Sequence, residues 1–238
     1  MLRVFCDFDG TVAPVDIGNA LFRHFAGDTA QQIARRYVDG EITARECLLS
    51  EAEAAGTVSP DELETFVRQF GLDEHFAAFR EFCTANRIPL TILSDGLDFY
   101  VGRVLKDNGA DGCSFYANHL EFVGTNGGTR MQVSFPYRDA ECELCGNCKR
   151  NHMITGSGDD DIIVYAGDGV SDRCAVRYAD IVFAKKGLVK YCQDQNISYY
   201  EFSDFRDIQR RLETLVGKKR LRKRREAEMA RRDAFMQG

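Results

Sequence analysis

Four short apolar runs, at residues 2–8, 89–93, 161–166 and 180–184, each end close to Gly, Ser or Asp and lead into a helical pattern. Strands that alternate with helices fold as βα units around a parallel sheet, because parallel neighbours need a crossover that a helix supplies. The expected fold class is therefore α/β, with a doubly wound, Rossmann-like core. Ligands of such a core bind beyond the carboxyl ends of the strands, and that is where the acidic and Gly-rich residues of this chain fall.

One crossover is far too long. Between Thr11 and Leu90 lie 78 residues, against the roughly one dozen that a parallel connection needs. Helical periodicity runs over 17–25, 30–38, 44–55, 60–70 and 75–86. Thr43 with Glu46, and Ser59-Pro60 with Glu62, mark two helix starts. Residues 14–72 read as a small helical cap inserted into a core made of 1–13 and 73–216. Over 113–135 the pattern changes to period two around Thr125-Asn126-Gly127-Gly128, which predicts a small β-hairpin. A helix resumes over 203–216. The tail, 217–238, is expected to extend it, with Arg222/Glu226 and Arg224/Glu228 at i,i+4 spacing.

Charge is unevenly spread. Residues 218–238 hold nine Lys/Arg against three acids, a net +6 in a chain whose total is −6, so the first 217 residues carry −12. An acidic body of this kind does not favour nucleic acid as a partner. No window approaches the roughly 18 uninterrupted apolar residues of a membrane span, and acids stand at the start where a secretory leader is apolar. Neither nucleic acid nor membrane is expected as a partner. Nine cysteines, an odd count, argue for reduced thiols and a cytoplasmic setting.

Asp7 and Asp9 sit two apart at a strand end, where period-two geometry sends both side chains to one side. Carboxylates held that close repel unless a cation or proton lies between them, so one can serve as nucleophile or metal ligand while the other exchanges protons. The alternative is a capping turn of acids. Gly167-Asp168-Gly169-Val170-Ser171-Asp172 again places two acids after an apolar run, a hard-oxygen set suited to Mg²⁺. Ser94-Asp95-Gly96 follows the run LTIL and is read as opening a helix, where hydroxyl and N–H groups can cradle an anion. Lys149 begins the next helix and is a natural counter-charge for phosphate. Cys142, Cys145, Cys148 and His152 can supply Cys₃His to Zn²⁺, or else pack the loop that presents Lys149. His24, His75 and His119 read as surface or core residues. Phe66, Phe70, Phe76, Phe79 and Phe82 fall at helical spacings and read as core.

Taken in order over 7–172, Asp-x-Asp-Gly-Thr, Ser, Lys and Gly-Asp-x-x-x-Asp resemble the four motifs of the haloacid dehalogenase superfamily of phosphotransferases. The insertion directly after the first motif resembles the C1-type cap of its phosphoserine-phosphatase-like branch. Residues 94–99, Phe135-Pro136-Tyr137 and the Cys142–Lys149 run are similar to the 2-hydroxy-3-keto-5-methylthiopentenyl-1-phosphate phosphatases of methionine salvage, with a departure at Asp95, where many relatives have Gly. The resemblance implies Asp7 as nucleophile forming an aspartyl-phosphate, and Asp9 as general acid then base. It implies Thr11, Ser94, Asp95, Gly96 and Lys149 at the phosphate. Mg²⁺ would be held by Asp7, the Asp9 carbonyl and Asp168, with Asp172 orienting that shell. The implied partner is a small phosphorylated metabolite of the methionine-salvage, phosphoserine or phosphoethanolamine kind. A phosphomutase or phosphotransferase on the same residues, and a non-catalytic regulatory binding protein, stand as alternatives.

Overall fold

A computed structural model of the chain describes residues 1–218 and 221–237. Lys219 and Arg220 of the basic tail lie outside the described residues. In chain order the elements are β1 (Leu2–Asp7), α1 (Ile17–Ala26), α2 (Asp28–Val38), α3 (Ala44–Ala55), α4 (Pro60–Val67) and α5 (Phe76–Ala85). There follow β2 (Leu90–Leu97), α6 (Asp98–Asp107), β3 (Ser114–Thr125), β4 (Gly128–Ser134), α7 (Lys149–Thr155) and β5 (Ile162–Gly167). The last are β6 (Ile181–Ala184), α8 (Gly187–Asp194), β7 (Tyr200–Glu201), α9 (Phe205–Glu213) and α10 (Arg225–Gln237). The chain divides into two compact units: 1–12, 73–93 and 149–238 form one, and 13–72 with 94–148 form the other.

In the first unit the strands order as β2-β1-β5-β6-β7, every pairing parallel. The order reverses at β1. Right-handed crossovers then send α5 to one face and α7 and α8 to the other, which makes the carboxyl ends of β1 and β5 the switch point where ligands bind in open α/β sheets. Every residue of β5 is buried, and all but Arg3 of β1, as strands covered on both faces require. Phe5, Met153, Ile163, Tyr165, Val182 and Leu188 belong to one core cluster. Phe76 and Phe79 of α5 pack on Phe205 of α9, with ring centroids 4.9 and 5.1 Å apart.

The basic tail does not prolong α9, which ends at Glu213; Gly217, at φ +79°, turns the chain away. A separate helix, α10, follows. Arg224 meets Glu228 through its main-chain carbonyl, which accepts from the Glu228 amide at 3.0 Å. Its guanidinium donates to the carbonyls of Val176 and Arg177 at 2.7 and 2.8 Å. Arg231 reaches Asp180 at 3.0 Å, and the Asp180 side chain is fully buried there and also accepts from the Ile163 amide. The i,i+4 pair that forms on this helix is Arg232 with Glu228.

In the second unit the helix starts read from the sequence are complete capping boxes. The Thr43 and Glu46 amides each bond the other residue's side chain at 2.8 and 3.2 Å, and Ser59 and Glu62 do the same at 2.9 and 3.2 Å. The hairpin β3–β4 turns at residues 125–128 as the pattern requires. Thr129 of its second strand exchanges bonds with Val58, so hairpin and inserted helices form one body. His24 stacks on Phe66 and His119 bonds Asp98.

Glu51 of α3 is buried inside this unit, and burial followed by the charge of Asp16 pushes its pKa up to about 8, against a bond from the Cys47 thiol. A carboxyl whose pKa rises on folding costs stability as pH climbs from the ordinary glutamate range to about 8, because the unfolded chain releases its proton first. Glu51→Gln stays neutral throughout. It should stabilise the chain by on the order of 1–3 kcal/mol near pH 8 and by almost nothing near pH 4. Thermal unfolding of both proteins across that range checks this; a gain that does not grow with pH rejects it.

Candidate active site

Asp7 is the last residue of β1, paired in register with Leu93 of β2. The chain then turns tightly, with Thr11 N–H donating to Phe8 and Val12 N–H to Asp7. Gly10 makes this possible. It sits at φ +74°, and a Cβ there would fall 2.1 Å from the Asp168 carboxylate. Glycine alone combines that left-handed backbone with so close an approach. Gly167 at the end of β5 has a related reason, since a Cβ on it would lie 2.4 Å from Asp172 Oδ2.

Asp172 folds back over the motif loop. Its Oδ2 accepts from the amides of Asp168 and Gly169 at 2.9 and 3.0 Å. Its Oδ1 accepts from Tyr165 Oη at 2.5 Å and Lys149 Nζ at 2.7 Å. Lys149, the first residue of α7, also donates to Asp7 Oδ1 at 2.6 Å and to Ser171 Oγ at 3.0 Å. Asp7, Lys149 and Asp172 are all buried. On the open side, Lys186 Nζ lies 2.9 Å from Asp168 Oδ2.

These charges set one another. Burial opposes the charge on Lys149, but the carboxylates of Asp172 and Asp7 outweigh it and hold the ammonium protonated well above the ordinary lysine range. Burial, then the charge of Asp172, pushes the Asp7 carboxyl up, and Lys149 counters. Burial also raises Asp168, against its bond from Lys186. Asp7, Asp168 and Asp172 each offer an oxygen within 4.8 Å of the others. Three carboxylates thus face two ammonium groups, and hard oxygens with an excess of negative charge fit a small divalent cation.

Of the residues singled out in the sequence, Asp7, Lys149, Asp168 and Asp172 come together in the first unit. Asp9 is half-buried on the turn, and Thr11 is fully buried with its Oγ1 lacking a hydrogen-bond partner. Ser94, Asp95 and Gly96 belong to the second unit. They do not open a helix. The strand runs on through them to the buried Leu97, and α6 begins at Asp98. Ser94 Oγ accepts from the Gly96 amide at 3.0 Å, and Asp95 accepts from the Asn147 amide at 2.9 Å.

Among the described residues, the three carboxylates are the group brought close enough to hold a metal; Cys142, Cys145 and Cys148 are not gathered in this way. His152 sits on α7, where burial pushes its pKa down to about 4. Sequence reasoning missed Tyr165, Ser171 and Lys186. Ser171 lies inside a motif already marked, whereas the other two carry no local signal.

The profile of the haloacid dehalogenase-like hydrolases matches residues 4–177, a span that includes Asp7, Lys149, Asp168 and Asp172. The chain belongs to that family. It is a phosphatase of the family. It is 29% identical over 226 residues to a 2-hydroxy-3-keto-5-methylthiopentenyl-1-phosphate phosphatase of Bacillus cereus, covering 92% of this chain and 99% of that one. A protein of the same name from Bacillus thuringiensis subsp. konkukian is 30% identical, with 90% and 97% covered. Among solved structures, a phospho-aspartyl intermediate analogue of phosphoserine phosphatase shares the fold at TM-score 0.66 and 18% identity, covering 88% of this chain and 97% of that one. A HAD family hydrolase from Salmonella enterica subsp. enterica serovar Typhi does so at TM-score 0.70 and 15% identity, covering 92% and 72%.

Removing the lysine of this hydrolase strands two buried carboxylates. Lys149→Met should lower stability by about 3–5 kcal/mol at neutral pH. The loss should shrink toward acid, where the Asp7 carboxyl, already pushed up by burial, takes up its proton. Denaturant unfolding at neutral and acid pH measures it, and a deficit independent of pH would contradict the electrostatic account.

Proposed function

We propose that this phosphatase hydrolyses a small-molecule phosphate monoester in two transfers, with Asp7 as the nucleophile. The observation that carries the reading is the Asp7 carboxylate at the switch point, bonded to the buried Lys149 ammonium within an acidic group that includes Asp168. Asp7 attacks phosphorus, the P–O bond of the ester breaks, and Asp9 gives its proton to the departing alcohol oxygen. Asp9 then takes a proton from water, which attacks the aspartyl-phosphate and frees phosphate and Asp7. A carboxylate nucleophile thereby divides one difficult hydrolysis into two easier transfers.

Lys149 balances charge on the moving phosphoryl group, and Thr11, Ser94, Asp95 and Gly96 supply polar groups to its oxygens. Asp95 is held to the Asn147 amide, so it contributes through its main chain. The donor set fits Mg²⁺, with Asp7, Asp168 and the Asp9 carbonyl as the residues that would hold it and Asp172 steadying them. Bound there, the ion would supply Lewis-acid stabilisation of the phosphoryl oxygens.

Choice of the leaving group falls to the helices inserted over 14–72. The first substrate to try is 2-hydroxy-3-keto-5-methylthiopentenyl 1-phosphate, because the relatives named for it align over nearly the whole of both chains. Phosphoserine follows on the weaker ground of shared fold. No helix among the described residues is long and apolar enough to cross a membrane, and we place the enzyme in the cytoplasm.

Asp7→Asn should lower turnover of an aryl phosphate by about 10³-fold or more while leaving thermal unfolding cooperative. Chelation of divalent ions should abolish activity, and Mg²⁺ should restore it. Full turnover by Asp7→Asn rejects the nucleophile. Transfer of phosphate to an added alcohol in place of release would turn the reading to a phosphotransferase.

A further inference from the structure

Lys186 stands at the site on a backbone that is costly to build. It lies at φ +49°, a left-handed conformation that a lysine adopts only when its surroundings fix it. The surroundings do so. The Lys185 amide bonds Gly167 O at 3.2 Å, and the Leu188 amide bonds Asp168 O at 3.0 Å. Both acceptors belong to the motif loop, so the turn before α8 is tied to that loop on either side of Lys186. Lys185 goes elsewhere, its Nζ over the ring of Phe202 at 4.7 Å. Lys186 is left aimed at the acids, 2.9 Å from Asp168 Oδ2 and 3.5 Å from the Gly10 carbonyl. The same Gly10 that admits the Asp168 carboxylate also admits this ammonium, since a Cβ there would lie 2.9 Å from Lys186 Nζ. Unlike Lys149, Lys186 has a side chain 54% exposed, so its ammonium can exchange Asp168 for water at little cost.

A divalent cation held by Asp7 and Asp168 would draw on the carboxylate whose Oδ2 Lys186 holds. We propose that Lys186 is a built-in competitor for the metal: its ammonium neutralises Asp168 while the cation is away, leaves that oxygen when the cation arrives, and so sets the affinity of the site for divalent ions. This rests on the metal site proposed above. Its consequence is that the acids remain organised at low cation concentration and that metal exchange is easy, because a positive charge is always at hand to replace the ion.

The test is direct Mn²⁺ binding, read from the electron paramagnetic resonance signal of the free ion in the absence of substrate. Lys186→Met and Lys186→Gln should bind Mn²⁺ about two- to fivefold more tightly than the parent chain, the range expected when a half-exposed ion pair is removed. Lys186→Arg should stay close to the parent. Equal or weaker binding in both uncharged variants, with the parent still binding, overturns the competition and leaves the metal site standing. If no chain binds Mn²⁺, or if Asp168→Asn binds it as well as the parent, the metal site itself falls, and this inference with it.

Discussion

The arrangement of the first unit depends on one buried ammonium. Lys149 is placed between Asp7 at the end of β1 and Asp172 beyond β5, with Tyr165 as a second donor to Asp172. Taking any of these charges out of water alone would be prohibitive, and together they are tolerable only because each has a partner at hydrogen-bond distance. The strand ends and the start of α7 are therefore fixed relative to one another by electrostatics as much as by packing. The same constraint explains both glycines: Gly10 and Gly167 lie where a carboxylate approaches the backbone too closely for any side chain.

In the second unit, amides pin the end of β2. Asn147 donates from its side chain to Ser94 O and Tyr116 O, and Asn118 donates to Asp95 O at 2.7 Å. Gly146 passes so near Asn118 that a Cβ would meet its amide at 2.8 Å. Together these bonds hold the end of β2 against the loop of 142–148. The clamp therefore fixes the chain at Asn147, between Cys145 and Lys149.

Much of this was legible in the sequence because it is local. Capping boxes, the hairpin turn and the strand-ending acids are set by neighbours within a few residues, and residues such as Thr43, Gly128 and Asp7 announce them. The helix read at Ser94 failed for the opposite reason: the buried Leu97 and the bonds from Asn118 and Asn147 extend the strand past a local signal for a helix start. Lys186 and Arg231 were invisible, since each meets a carboxylate 18 or 51 residues away along the chain, and Tyr165, seven residues before Asp172, reads as one more apolar-strand residue. One lysine among 31 basic residues carries no mark of its destination.

The docking of α10 has a temporal side. Asp180 is translated 44 residues before Arg224 and 51 before Arg231. While the polypeptide is still emerging from the ribosome, the junction of β5 and β6 holds an acid whose later partners, the Arg224 main-chain amide and the Arg231 guanidinium, have not yet been made. Water must serve in their place. Completion of that junction is consequently a late event of biogenesis, and it waits on a segment synthesised well after the strands it secures.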